Sequence, residues 1–93
     1  MPEPEVGEVL EKVSRLVGRG GRYVVYKCED VYITNIEGIV AVYDAETDYA
    51  FIVDLPRVPG GSLDEKISNM LANYEYVLGC RARVVGEGIL KGA

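Results

Sequence analysis

The strongest constraint in this chain is a run of strand-like segments that are apolar on both sides. Tyr23 and Val25 alternate with Val24, Tyr26 and Cys28. Ile39, Ala41 and Tyr43 alternate with Val40 and Val42, and Tyr49, Phe51, Val53 and Leu55 with Ala50 and Ile52. Successive side chains of a strand point to opposite faces, and a sheet with one wet face alternates apolar with polar residues. These segments do not, so their sheet has two faces to cover. Four or five strands at about 4.8 Å spacing make a sheet roughly 20 Å wide. Two helices, each about 10 Å across, cover one such face. The second face then requires a curl toward a barrel, a helix on each side, or another chain.

Helices bracket these segments. Val6, Val9, Leu10, Val13, Leu16 and Val17 recur at the spacing of one helical face, with Pro4 in the first turn and Gly18 as a stop. Ser62 and Glu65 form an S-x-x-E capping box ahead of Leu63, Ile67, Met70, Leu71 and Tyr74, so a second helix is expected from there to near Tyr74. Strands are expected at Arg22–Cys28, Val31–Ile36, Ile39–Asp44 and Asp48–Leu55. Glu29-Asp30, Glu37-Gly38 and Ala45-Glu46-Thr47 supply the turns, and Pro56 and Pro59 end the fourth strand. A last strand is expected at Cys80–Val85, and Gly86–Ala93 reads as a loose tail in which Ile89-Leu90 could dock. The fold class is α+β, in the order α-β-β-β-β-α-β. The simplest arrangement is an antiparallel meander sheet with both amphipathic helices packed on one face. Residues 1–85 make one domain and residues 86–93 a Gly-rich C-terminal tail.

Composition narrows the chemistry. The chain has no His, so the commonest general base and metal ligand are missing, and neither a Ser-His-Asp nor a Cys-His centre can form within it. A net charge of −5 disfavours general binding to a phosphate backbone. No apolar run approaches the roughly 20 residues of a membrane helix. The acidic start MPEPEVGEVLEK lacks a signal peptide's basic and apolar regions, so a cytoplasmic location is expected. The absence of Gln and the scarcity of Asn, beside abundant Glu, Arg and Val, lean toward a thermophilic source. Cys28 and Cys80 are expected as free, buried thiols. The alternative is a Cys28–Cys80 disulfide, of the kind that intracellular hyperthermophile proteins carry, and it needs Cα atoms within about 7 Å.

Candidate sites are sparse. Asp44-x-Glu46-x-Asp48 opens like a calcium loop, but Tyr49 and Leu55 stand where Gly and Glu are needed, so a solvated hairpin tip is expected. Gly60-Gly61-Ser62 precedes a helix N-terminus but lacks the Lys of a phosphate loop. Lys12, Arg15, Arg19 and Arg22 can form an anion or nucleic-acid patch, joined by Arg81 and Arg83. Nothing brings Glu29, Asp30 and Asp54 into a catalytic pair. No catalytic, cofactor or metal residues are assigned, and an enzyme is disfavoured. The leading expectation is a non-catalytic protein-interaction module, a homodimer joined through a Tyr/Val-rich sheet face at Tyr23, Tyr26, Tyr43, Tyr49 and Phe51. The alternatives are a small-ligand or nucleic-acid binding domain using Arg15, Arg19 and Arg22, and a subunit of an enzyme with a shared site.

Overall fold

The apolar stripe near the N-terminus winds into helix α1 at Val6–Val17. It stops where Gly18 takes a left-handed conformation (φ 73°) and donates its N–H to the Ser14 carbonyl. These features come from a computed structural model, which describes residues 3–92. The remaining elements are β1 (Gly21–Cys28), β2 (Val31–Ile36), β3 (Ile39–Asp44), β4 (Tyr49–Ile52), a 3-10 turn at Leu55–Arg57, α2 (Leu63–Leu78) and β5 (Arg83–Leu90). The sheet has five strands in the order β4-β3-β2-β1-β5, with every neighbouring pair antiparallel. The α+β class and the element order match the sequence reading.

Local chemistry sets the joints. Glu37 and Gly38 both have positive φ (48° and 87°), as the primed hairpin turn demands, and Asn35 Oδ1 accepts the Gly38 N–H at 2.9 Å. At the start of α2, Ser62 Oγ accepts the Glu65 N–H at 3.1 Å, while Glu65 reaches back to the Gly61 N–H at 3.1 Å, one residue earlier than in the standard box. Lys66 Nζ donates to the carbonyls of Leu55 (2.8 Å) and Val58 (2.7 Å), and Asn69 donates to that of Pro59 (2.7 Å). These bonds fasten α2 to the segment before it. The helix runs past Tyr74 to Leu78 and stops at a left-handed Gly79.

The two helices lie on opposite faces of the sheet, which corrects the expectation that both pack on one. Val9, Leu10 and Val13 of α1 pack on Val25, Tyr32, Ile36, Ala41 and Tyr43. Ile67 and Met70 of α2 pack on Val31, Ile33, Val40 and Val42, which point the other way along the same strands. The reason is topological. The chain must cross the sheet between β4 at one edge and β5 at the other, and α1 already occupies one face. A helix on each side therefore covers the centre of the two-faced sheet within a single chain.

Three further expectations change. The fourth strand is Tyr49–Ile52 and not Asp48–Leu55, with Leu55 opening the 3-10 turn. The last strand is not Cys80–Val85 followed by a loose tail; it is Arg83–Leu90, paired along β1. A register shift opposite Val25/Tyr26 marks a bulge in this pairing. Its glycines answer to tertiary contacts: a Cβ on Gly86 would meet Val6 of α1 at 2.7 Å, and Gly88 lies against the Tyr23 ring. Ala93, the end of the expected tail, lies outside the described residues. Cys28 and Cys80 are not free thiols but a disulfide, with Cα atoms 5.7 Å apart. The turn at Gly79 brings Cys80 back to the strand face over which α2 lies, where Cys28 sits beside Val31.

Candidate functional site

The segment before α1, its first turn, and the β1–β2 and β3–β4 turns border an open acidic recess of about 580 Å3, lined by Glu3, Pro4, Glu8, Asp30, Tyr43, Ala45 and Glu46. Its one buried polar group is committed to structure. The Tyr43 hydroxyl donates to Asp48 Oδ1 at 2.7 Å, and Lys12 Nζ binds the same oxygen at 2.8 Å. The hydrogen bond to Asp48, with burial behind it, pushes the Tyr43 pKa up to about 12. Hydrogen bonds from Lys12 and then Tyr43 hold the Asp48 carboxyl below its ordinary range. Asp44 Oδ1 accepts the Glu46 N–H at 2.9 Å. Asp44-x-Glu46-x-Asp48 is therefore a hairpin tip that uses two of its three carboxylates internally. Among the described residues no group of three or more Cys, Asp or Glu is placed to hold a metal.

Lys27 is a buried charge that the sequence reading passed over. It lies on the α1 face of β1, where Tyr23 and Val25 precede it, and a lysine in that alternation was the available signal. Its ammonium donates to Glu3 Oε1 at 2.5 Å and lies 5.8 Å from the Tyr32 ring centroid. The hydrogen bond from Lys27, aided by its charge, lowers the Glu3 pKa. The pair ties the segment before α1 to the sheet.

The expected basic patch does not assemble. Lys12 is paired with Asp48, and Arg15 with Glu11 at 2.5 Å. Arg19 is exposed in the connection after α1. Arg22 sits on β1 with its side chain on the sheet face opposite α1, since it alternates with Tyr23. Ser62 accepts the Glu65 N–H and Glu65 accepts the Gly61 N–H, and the carboxylates of Asp64 and Glu65 in the first turn disfavour an anion there, leaving Gly60-Gly61-Ser62 as a capped connection.

The five aromatic interface candidates separate. Tyr43 is only 4% exposed, inside the α1 core, so it cannot meet a partner. Tyr23 and Tyr26 are half-buried, and Tyr49 and Phe51 form an exposed pair on β4 with centroids 6.0 Å apart. The apolar surface the sequence reading missed is on β5. Val84 is 51% and Ile89 77% exposed, on the α2 side of the sheet but beyond that helix. Arg22, Tyr23, Val24, Glu87, Gly88 and Ile89 line a shallow recess there, and β5 is an edge strand with no neighbour on its outer side among the described residues. The signal was Ile89-Leu90 at the end of a Gly-x-Gly stretch, masked by reading those glycines as a loose tail.

No helix among the described residues is long and apolar enough to cross a membrane. Comparison with known proteins returned no matching family model, no matching curated protein and no matching solved structure.

Proposed function

We propose that this protein is a non-catalytic interaction module that associates with itself. The observation that carries this reading is β5: eight residues of edge strand, unpaired on the outer side, bearing Val84 and Ile89 in the open. Such an edge is a template for strand pairing, and single-chain proteins usually shorten, charge or cover it. The site chemistry favours the same reading, because the Tyr43 phenol at the acidic recess and the buried Lys27 ammonium are each tied up in structural pairs. The sheet face first expected to carry the contact is narrowed to the strip that α2 leaves uncovered. Dispersal of the arginines withdraws support from a nucleic-acid role, and the open, internally bonded acidic recess does the same for a shared catalytic site.

A disulfide in a chain without Gln fits the interior of a hyperthermophilic cell, where such bridges persist. Sedimentation velocity from low to high micromolar concentration tests the reading. A concentration-dependent shift from monomer to a discrete dimer is the expected result, and a strict monomer throughout overturns it.

A further inference from the structure

We propose that two copies of the chain join through β5, which pairs antiparallel with β5 of the second copy about a two-fold axis at Ile89. The proposal rests on the self-association argued above and names its seam.

The backbone decides which residues of β5 face outward. The Arg22 N–H donates to Glu37 Oε1 at 3.1 Å, and the Arg22 carbonyl accepts the Glu37 N–H at 3.0 Å. In an antiparallel ladder both main-chain groups of a residue point to the same side. Arg22 therefore faces β2, and its neighbours Gly21 and Tyr23 face β5. Their partners in the register are Leu90 and Gly88, which bond inward. Glu87 and Ile89 alternate with these, so their N–H and C=O groups point away from the sheet. The bulge near Val85 breaks the regular edge toward Arg83, which leaves the half beyond Gly86 as the pairing segment. At the other edge, β4 has only four residues.

Charge fixes the register. An axis at Ile89 sets Ile89 against Ile89 of the second copy and Glu87 against Lys91 of the second copy, twice over. The outward groups of Ile89 then exchange two hydrogen bonds across the axis. An axis at Glu87 would instead oppose two carboxylates, which destabilises a cross-strand pair. In the single chain, Glu87, Lys91 and Arg22 make no ion pair with any described residue. On the α2 side the seam reads Arg22, Ile89, Ile89, Arg22 across the two copies, so the arginine stems flank the most exposed aliphatic side chain of the strands. On the α1 side Gly88 opposes Leu90 of the second copy, so the Tyr23 ring that lies over Gly88 would border that leucine.

The test uses the outward positions, whose substitution leaves the β1 pairing intact. The native cysteines are bonded to each other, so Ile89→Cys adds the sole free thiol among the described residues. Directly opposed residues of a hydrogen-bonded pair lie about 5.5 Å apart at Cα, within disulfide range. Ile89→Cys is expected to run as a covalent dimer on a non-reducing gel, and Tyr76→Cys, exposed on α2, as a monomer. Glu87→Lys and Lys91→Glu are each expected to weaken the dimer at least about tenfold, and the combined swap to restore it. A wild-type protein that stays monomeric overturns self-association itself. A wild-type dimer that ignores both charge reversals and does not crosslink through Ile89→Cys overturns this seam alone.

Discussion

The two faces of the sheet are built from the same strands, yet they are closed by different means. On one, α1 lays Val9 and Val13 fully into the core with Leu10 beside them. On the other, α2 buries only Ile67 and Met70, although it is the longer helix. The second helix has ties that the first lacks: the Cys28–Cys80 bridge at one end, and at the other the Lys66 and Asn69 hydrogen bonds to carbonyls of the preceding segment. A helix with little buried area needs bonds that hold it in place, whereas α1, whose apolar stripe fits the sheet, is held mainly by packing, with the Lys12–Asp48 and Lys27–Glu3 ion pairs beside it. The contrast also explains the bare strip on β5, since α2 packs on residues of β1, β2 and β3 and on none of β5.

The largest test of this contrast is to cut the bridge. With Cys28 and Cys80 both changed to Ala, the loss of a crosslink spanning 52 residues is expected to cost about 4 kcal/mol in the chain-entropy account. Amide exchange is expected to accelerate along α2 while α1 keeps its protection. Equal loosening of both helices would abolish the distinction.

Core truncation comes next. Leu10→Ala in α1 is expected to cost about 3 kcal/mol in urea unfolding, and Ile67→Ala in α2 about 2 kcal/mol, because the thinner layer collapses more easily around a cavity. The reverse order would show that α2 carries more of the packing than its burial implies.

A smaller effect has the opposite sign. Thr34 lies fully buried on the α1 face, and its hydroxyl has no hydrogen-bond partner among the described residues. Thr34→Val keeps the shape and removes the orphaned group, with an expected gain of about 1 kcal/mol in the same assay. A loss would mean that the hydroxyl is satisfied in solution.

The smallest effects are electrostatic. Folding lowers the pKa of Asp48 from 3.8 and that of Glu3 from 4.5. Each carboxylate therefore adds stability that is complete above its unfolded value and is lost as pH falls through the lower folded one. Tyr43 works in the other direction: raised from 10.0 to about 12, it adds stability below pH 10 that is lost as pH rises through about 12. Asp48→Asn is expected to flatten the stability profile at both ends, measured by thermal melts across pH. An unchanged acid limb would place the titration on other carboxylates.

Much of this was legible because it is local. The six apolar residues of α1, the Gly18 stop, the Ser62 cap and the Glu37-Gly38 turn each act within a few residues of chain, and β2 and β3 fall on the expected boundaries. The pairings of Lys27 with Glu3 and of Tyr43 with Asp48 were not legible, since they depend on where the turns place side chains that sequence order leaves apart.

The C-terminal strand shows the division most clearly. Gly86 and Gly88 resemble linker residues until Val6 and the Tyr23 ring are packed against them, and then the absence of a side chain is what lets the strand close on β1. The amino-acid order determined the elements, their caps and the demand for cover on two faces, all through interactions between near neighbours or through strand alternation. The tertiary structure alone decided which helix covers which face, that Cys28 meets Cys80, and that Ile89 stays in the open. Those outcomes follow from the path the chain takes across a finite sheet, and no short stretch of sequence encodes that path.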